Sequence, residues 1–276
     1  MNAATTEPVI TFEDVRIGFD EGDDVLRGVN CQVASRETKV LIGETGAGKT
    51  LLLKMAAGLL KATEGHVRVL GRDLGTMSED ELLAFRRQIG FVFQEGALFD
   101  SLTVAENVAY RLHEDGLEEE ETDQRVRESL RLVELEQTMD RLPDELSGGM
   151  RRRVAIARAV VSRPPIVLYD SPTAGLDPMT SQTIITLILR LRDHLGVTSL
   201  LATHRLQDAF GLANYRFDSD QNRVVKMSPQ PHDAKYSSNG QSETNIVVLR
   251  EGRVYFEGGQ NAMLESKDEY LRRFLV

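Results

Sequence analysis

The chain has 276 residues, enough for one large domain or two modest ones, and 41% of them are hydrophobic, which is ample for a sizeable core. Its 33 basic and 43 acidic residues give a formal net charge of −10, so we expect no nucleic-acid partner for its bulk surface. A single cysteine excludes an internal disulfide framework and a cysteine-built zinc site. Because no apolar run approaches the about 20 residues of a membrane span, and MNAATTEP does not resemble a signal peptide, we expect a reducing, cytoplasmic location.

Short β-rich runs alternate with helical stretches, a pattern that predicts a mostly parallel sheet covered by helices. Alternating runs lie within residues 9–42, and a further β segment follows at 66–70. Helical signals dominate from about 78 to 163 and begin with a capping box at Ser78. Two apolar strands, 166–169 and 199–203, flank a buried helix, which predicts a strand–helix–strand crossover unit.

The two ends of the chain and one internal segment interrupt this pattern. Residues 1–8 are predicted to be disordered, and residues 218–245 are rich in polar residues and proline, which predicts a flexible insertion. After it, residues 246–256 resemble a hairpin that turns at Glu251-Gly252. Residues 260–276 are predicted to form a terminal helix.

A glycine-rich segment follows the apolar run that ends at Ile42 and has the spacing G-x-x-x-x-G-K-[ST]. Its residues are Gly43, Glu44, Thr45, Gly46, Ala47, Gly48, Lys49 and Thr50. Glycines let the backbone curl so that its N–H groups point at phosphate oxygens beside a helix N-terminus. The motif assigns Lys49 to the β- and γ-phosphates and the Thr50 hydroxyl to Mg²⁺.

Asp170 ends a strand of four apolar residues, and a carboxylate in that position can hold Mg²⁺ through water. Many buried strands end in Asp, so the feature is weak alone. Because the chain also contains the glycine-rich segment, the Asp170 feature is strong here. The two features together predict a site for a nucleoside triphosphate and its magnesium ion.

The segment Leu146-Ser147-Gly148-Gly149-Met150, placed just before a helix, resembles the signature motif of ABC-type ATPases. The resemblance covers roughly residues 9–216 and 246–259. It implies an ABC ATPase domain over 9–259 with the P-loop NTPase fold. That α/β fold has a RecA-like core with a mostly parallel sheet, an N-terminal antiparallel β subdomain and an inserted helical signature subdomain, here about 96–163.

The resemblance also implies roles for individual residues. Ser147, Gly148 and Gly149 would close over the γ-phosphate held by a second copy of the chain, so that a homodimer sandwiches two ATP molecules. Gln94 matches the Q-loop glutamine that touches Mg²⁺ and senses the γ-phosphate, and His204 matches the switch histidine. Gly175-Leu176-Asp177 matches the D-loop, and Phe19 occupies the place of the aromatic that stacks on adenine, although a core Phe is an alternative.

A subfamily follows from three further features. The segment 94–99, the segment 103–108, and Met150 in place of the Gln of most importers of polar solutes resemble the ATPases of Mla/Mce lipid-transport systems. This implies lipid cargo, a lipid-binding partner and a separate membrane permease that docks near Glu95–Tyr110. The chain would then be peripheral on the inner face of the cell membrane.

Ser171 departs from the family pattern, which usually has Glu after the Asp170 position to polarise the attacking water. A hydroxyl orients water but does not accept its proton at neutral pH. Hydrolysis is then slow, or another group substitutes, and the candidates by sequence are Glu44, Glu95 and His204.

Three alternatives to a lipid transporter remain at this point. One is an amino-acid or other small-solute importer ATPase, and another is a soluble, non-transport ABC protein. The third is a nucleotide-gated binding module with little hydrolysis, which Ser171 keeps open. The charged runs 118–121 and 151–153 are interpreted as solvated faces.

Overall fold

The computed structural model describes residues 8–19, 23–227 and 244–275, and these residues form three sheets, nine α-helices and three short 3-10 helices. The strands are β1 (Ile10–Ile17), β2 (Leu26–Val33), β3 (Thr38–Gly43), β4 (Glu64–Val69), β5 (Arg72–Asp73), β6 (Ile89–Val92), β7 (Ile166–Asp170), β8 (Thr198–Thr203), β9 (Tyr215–Asp218), β10 (Arg223–Lys226), β11 (Thr244–Arg250) and β12 (Arg253–Gly258). The helices are α1 (Lys49–Ala56), α2 (Glu79–Arg86), α3 (Val104–Glu114), α4 (Glu119–Leu132), α5 (Gly148–Val160), α6 (Pro178–Leu195), α7 (Leu206–Asn214), α8 (Gln260–Glu265) and α9 (Glu269–Arg273).

The central sheet has the strand order β12-β11-β3-β8-β7-β6. Its pairs are parallel except for the antiparallel hairpin of β11 and β12 at one edge. Every residue of β3, β7 and β8 is buried, because helices cover both faces of this part of the sheet. The α/β fold with a mostly parallel sheet is therefore confirmed.

A second sheet, β2-β1-β4-β5, is antiparallel and corresponds to the predicted N-terminal β subdomain. None of the predicted alternating runs corresponds to β2, so this strand was not predicted. Residues 29–33 alternate between buried and exposed positions, but Leu26 is buried out of phase with them, and Gly28 between has φ 86°. Asp14 has φ 47° and lies at a register shift between β1 and both neighbouring strands, so the two predicted runs of the first segment form one bulged strand.

Helices α3, α4 and α5 pack together between β6 and β7 in the chain. The predicted apolar face of α4 is confirmed, since Val126, Leu130 and Val133 are at most 2% exposed. The capping box at Ser78 is confirmed as well, because its side chain accepts a hydrogen bond from the backbone N–H of Glu81. The stretch 78–163 is less uniformly helical than predicted, because β6 lies inside it.

Two predictions for the C-terminal part of the chain need correction. The polar segment 218–245 includes β10, which pairs with β9 through Val224 and Val225, while residues 228–243 lie outside the described residues, as do residues 1–7. The predicted helix over 260–276 is two short helices, because Asp268 accepts a hydrogen bond from the Leu271 N–H and begins a new helix there. The hairpin turn at Glu251-Gly252 is confirmed, with φ 50° and 75° at those residues.

Within the described part of the chain, no helix has the length and apolar content that crossing a bilayer requires.

Candidate active site

The carboxyl ends of four parallel strands bring the predicted site residues to one edge of the central sheet. The register pairs Ile42 of β3 with Thr203 of β8, Ala202 with Asp170 of β7, and Val92 of β6 with Tyr169. The glycine-rich loop, Ser171 and His204 directly follow β3, β7 and β8, and Gln94 lies two residues after β6. Ligands of open α/β sheets bind at this edge, where the loops leave the sheet.

Two glycines of the loop 43–50 are required by close approaches. A Cβ on Gly43 would lie 2.5 Å from the Leu249 carbonyl oxygen, and one on Gly48 would lie 2.3 Å from Leu26 Cδ2. Gly48 also has φ 94° and immediately precedes α1. The loop is therefore packed against β11 on one side and β2 on the other, with the N-terminus of α1 behind it.

The Lys49 ammonium group lies inside the curl of this loop. Its Nζ donates hydrogen bonds to the carbonyl oxygens of Gly43 and Glu44, both at 2.8 Å. Burial lowers the pKa of Lys49, and the negative charge of Asp170 acts in the opposite direction. Cationic charge is thus held beside backbone N–H groups, which is the arrangement that binds phosphate.

Thr50 and Asp170 meet as the magnesium assignment requires. Thr50 Oγ1 donates to Asp170 Oδ1 at 3.2 Å, and Ser171 Oγ lies 3.4 Å from the same carboxylate oxygen. Hydroxyl and carboxylate oxygens are the donors that Mg²⁺ takes in nucleotide sites, with phosphates and water completing its shell. The residues present therefore fit a magnesium ion held with a nucleotide.

Ser171 has an uncommon backbone conformation, with φ 48°, and its N–H donates to the Ala202 carbonyl at 2.8 Å. Its left-handed φ is one that few non-glycine residues adopt, and it turns the chain sharply out of β7. The hydroxyl remains half-buried beside Asp170. Of the candidate substitutes for the missing carboxylate, Glu44, Glu95 and His204 all have exposed side chains.

Gln94 is exposed in the loop after β6, and the structure links this loop to Ser171 through an arginine. Arg152 Nη1 lies 3.5 Å from the Phe93 carbonyl oxygen and 3.2 Å from that of Ser171.

Arg152 is 5% exposed, so the interpretation of residues 151–153 as a solvated face is wrong for it. Its neighbours Arg151 and Arg153 also donate to backbone carbonyls. A run of arginines carries no signal that separates such contacts from solvation. By contrast, Glu118–Glu121 are exposed as predicted.

Phe19 is 52% exposed, which excludes the core alternative for this ring. It follows β1 and leads into the segment that begins β2, where Leu26 packs on Gly48. An exposed aromatic face is what stacking on a base requires.

The signature segment forms the N-terminus of α5 and packs on α6. Ser147 accepts a hydrogen bond from the Met150 N–H at 3.3 Å and caps the 13-residue helix α5. Ser147 and Gly148 are exposed, whereas Gly149 packs so closely on α6 that a Cβ there would lie 2.3 Å from Thr180 Cγ2. Within the described ranges, no hydrogen bond joins this helix N-terminus to residues 43–50.

Comparisons with known proteins agree with this geometry. A family model described as ABC transporter matches residues 26–174. The ATP-binding cassette MJ0796, in a dimeric post-hydrolysis state bound to ADP and Pi, is 30% identical, with a TM-score of 0.74 over 91% of this chain and 98% of that chain. The cassette cbiO1 of Clostridium perfringens, part of the cbiONQ transporter complex, is 26% identical, with a TM-score of 0.76 over 96% and 94%.

Three curated relatives are methionine import ATP-binding proteins named MetN. The protein of Rhizobium johnstonii is 38% identical over 224 residues, which is 81% of this chain and 62% of the relative. That of Brucella abortus is 37% identical over 82% and 61%, and that of Corynebacterium jeikeium is 33% identical over 82% and 62%. The chain therefore matches less than two thirds of their length. None of these three is a lipid transporter, so the predicted lipid-transport subfamily finds no support among them.

Proposed function

The chain belongs to the ABC transporter family, and from that membership we propose that it is the ATP-hydrolysing subunit of a membrane transporter. The observation that carries the proposal is that Lys49, Thr50 and Asp170 lie together at the carboxyl edge of the sheet. Lys49 is held by two loop carbonyls at 2.8 Å, and Thr50 donates to Asp170 at 3.2 Å. These three residues supply the charge and the oxygen donors for a nucleotide triphosphate with Mg²⁺.

Each site residue then has a defined part in binding ATP. The backbone of 43–50 and the Lys49 ammonium hold the β- and γ-phosphates, and Phe19 stacks on adenine. Thr50, Asp170 and Gln94 hold the magnesium ion, which neutralises phosphate charge when bound. His204 contacts the γ-phosphate from the end of β8.

Turnover depends on how the attacking water is oriented, because Ser171 brings a hydroxyl rather than a carboxylate. That hydroxyl lies within reach of Asp170, and it can hold a water without taking its proton. Loss of a general base typically costs about 10²–10⁴-fold in rate. We therefore propose Mg-ATP binding with hydrolysis that the missing carboxylate slows and another group partly restores.

The second half of the ATP site comes from another copy of the chain. Ser147 and Gly148 are exposed at the N-terminus of α5, and helix N-termini favour anions. The dimeric ATP-binding cassette MJ0796, 30% identical to this chain, supports closure over the γ-phosphate of a partner. A homodimer with two nucleotides between its subunits is the proposed working form.

The permease is proposed to dock on the face that carries the loop before α3. Phe99 and Tyr110 are 42% and 44% exposed, and their rings pack at 4.7 Å. Asn107 holds this loop by donating to the carbonyls of Phe99, Leu102 and Thr103 at 2.9 to 3.0 Å. A rigid exposed aromatic pair suits an apolar coupling helix, and such docking would keep the chain at the cytoplasmic face of the membrane.

For the cargo, the named relatives favour a small solute such as methionine over a lipid. The lipid alternative rests on the segments 94–99 and 103–108 and on Met150, and no lipid-binding partner is proposed. The decisive measurement is phosphate release by the chain reconstituted with its permease in vesicles. We expect L-methionine or a related small solute, delivered with its binding protein, to stimulate release. Stimulation by phospholipid instead would restore the lipid assignment, and failure of the purified chain to bind ATP would refute the ATPase assignment itself.

A further inference from the structure

Asp208 is a buried carboxylate in the first turn of α7, and it is 2% exposed. Its Oδ2 accepts a hydrogen bond from Thr173 Oγ1 at 2.5 Å and another from Thr203 Oγ1 at 2.8 Å. Burying such a group is costly unless hydrogen bonds compensate, and both hydroxyls together with the helix N-terminus provide that compensation. One oxygen atom thus joins two segments that are distant in sequence.

Both of these segments belong to the proposed ATP site. Thr173 lies in the Ser171 loop, by which we mean residues 171–174. Thr203 is the last residue of β8 and immediately precedes His204. Asp208 therefore connects the loop that carries the water-orienting hydroxyl to the strand end that carries the proposed γ-phosphate contact.

Arg205 makes the same connection a second time. Its Nη1 donates to the Thr173 carbonyl at 3.3 Å and to Ser181 Oγ at 2.8 Å. Its backbone N–H donates to Thr203 Oγ1 at 3.0 Å, and its Nε lies 3.8 Å from Asp208 Oδ1. The residue directly after His204 is thus bonded to the Ser171 loop.

Arg152 holds the other side of the Ser171 loop. It donates to the carbonyls of Ser171 and Ala174, at 3.2 and 3.5 Å, and to that of Phe93 beside Gln94. Guanidinium groups therefore reach three carbonyls of a four-residue loop. Because these bonds hold it, the Ser171 loop moves together with the segment beside Gln94 and the end of β8, or does not move.

We propose that Asp208 is a positioning residue for ATP hydrolysis, coupling the position of His204 to that of the Ser171 loop. The inference deepens the proposed function and rests on its assignment of the ATP site. When His204 contacts the γ-phosphate, the displacement of the β8 end reaches Ser171 through the two hydroxyls that share one carboxylate oxygen. Asp208 does not touch the nucleotide.

The test compares Asp208→Ala and Asp208→Asn with the wild-type chain in steady-state phosphate release and ATP affinity. Misplaced groups cost rate more than binding, so Asp208→Ala is expected to lower kcat by about 10-fold or more and to change KM by less than about twofold. Asp208→Asn keeps an oxygen acceptor for the hydroxyls, so it should retain an intermediate kcat. It also decides the question if Asp208→Ala does not fold.

Glu37→Gln is the matched control. Glu37 is a buried carboxylate, 6% exposed, that accepts from the Ala34 N–H and from Asn245 Nδ2 at the opposite end of β3. The Glu37→Gln substitution should lower the melting temperature without lowering kcat. If folded Asp208 variants keep the wild-type kcat, or if Glu37→Gln loses as much activity as they do, the positioning role is wrong.

A second readout keeps the inference testable if the wild-type chain binds ATP without hydrolysing it. Mg-ATP should then slow amide hydrogen exchange in residues 171–177 and 203–208 of the wild type. In Asp208→Ala we expect the protection to persist at 203–208 and to be lost at 171–177. Equal protection of both segments in both proteins would overturn the coupling, and absent ATP binding by the wild type would overturn the proposed function and the inference with it.

Discussion

Lys49 is held by two carbonyl acceptors in the curl of the glycine-rich loop, so its ammonium group is already placed where phosphates arrive. Replacing it with alanine removes the charge that pairs with the β- and γ-phosphates. We expect Lys49→Ala to abolish binding of a labelled ATP analogue, measured by equilibrium titration. Lys54→Ala, which changes an exposed lysine of the same helix, is the control and should bind as the wild type does. Micromolar binding by Lys49→Ala would show that the site is wrongly assigned.

The proposed function makes Ser171 the residue that limits how fast bound ATP is hydrolysed. If Ser171 means that the catalytic base is absent and not replaced, Ser171→Glu places a base beside the γ-phosphate and should raise the rate of phosphate release by about 10-fold or more. If another group has taken over, the added carboxylate should do little, or slow the reaction by crowding Asp170. We favour partial compensation, because His204, the predicted switch histidine, and the predicted signature glycines Gly148 and Gly149 are all present.

Ser171→Gln is the control for shape without charge, since Gln matches Glu in size and both must adopt the left-handed φ of 48°. A gain in Ser171→Glu but not in Ser171→Gln assigns the effect to the carboxylate. A wild-type rate that equals the rate of Lys49→Ala would refute compensation and leave ATP binding as the activity of the chain.

At the scale of elements, the residues on either side of the polar segment 228–243, Met227 and Thr244, both contact the C-terminal part of α7. The Met227 N–H donates to the Asn214 carbonyl at 2.8 Å, and Thr244 Oγ1 donates to that of Leu212 at 3.0 Å. A short linker can therefore join the two ends without moving β10 or β11. We expect replacement of residues 228–243 by a Gly-Ser linker to leave ATP affinity and the melting temperature unchanged, and limited proteolysis of the wild type to cut there first. A replacement that does not fold would show that the segment belongs to the core.

At the scale of the whole molecule, the proposed dimer predicts a variant that separates nucleotide binding from assembly. A Cβ on Gly148 would meet Leu176 Cδ2 at 3.7 Å, an ordinary contact, so Gly148→Asp fits the isolated chain. Its carboxylate would lie against the γ-phosphate of the partner's ATP, where like charges repel. We expect normal ATP binding and loss of the dimer that Mg-ATP induces, measured by light scattering after size exclusion. Gly259→Asp, where a built Cβ meets nothing within 4 Å, should dimerise normally, and a dimer of Gly148→Asp would contradict the sandwich.

Local patterns in the sequence were sufficient for the phosphate loop, the strand that ends at Asp170, the Ser78 capping box and the hairpin at Glu251-Gly252. In each case a few adjacent residues satisfy their own steric and hydrogen-bonding needs, so the pattern specifies the conformation. Strand β2 was missed because the bulged strand β1 sets its register. The break before α9 is local, since Asp268 caps that helix, and the prediction of one continuous helix overlooked it.

Arg152, Arg205 and Asp208 gave no usable sequence signal, because charged residues are usually solvated and their partners are up to 59 residues away in the chain. The sequence by itself was enough to predict a nucleotide site, since that prediction depends on contiguous residues at the ends of apolar strands. Only the tertiary structure decided which buried charges hold the Ser171 loop. Its carbonyls and hydroxyls acquire those partners when the sheet aligns β6, β7 and β8, because a buried polar group must find hydrogen bonds among whatever the fold places beside it.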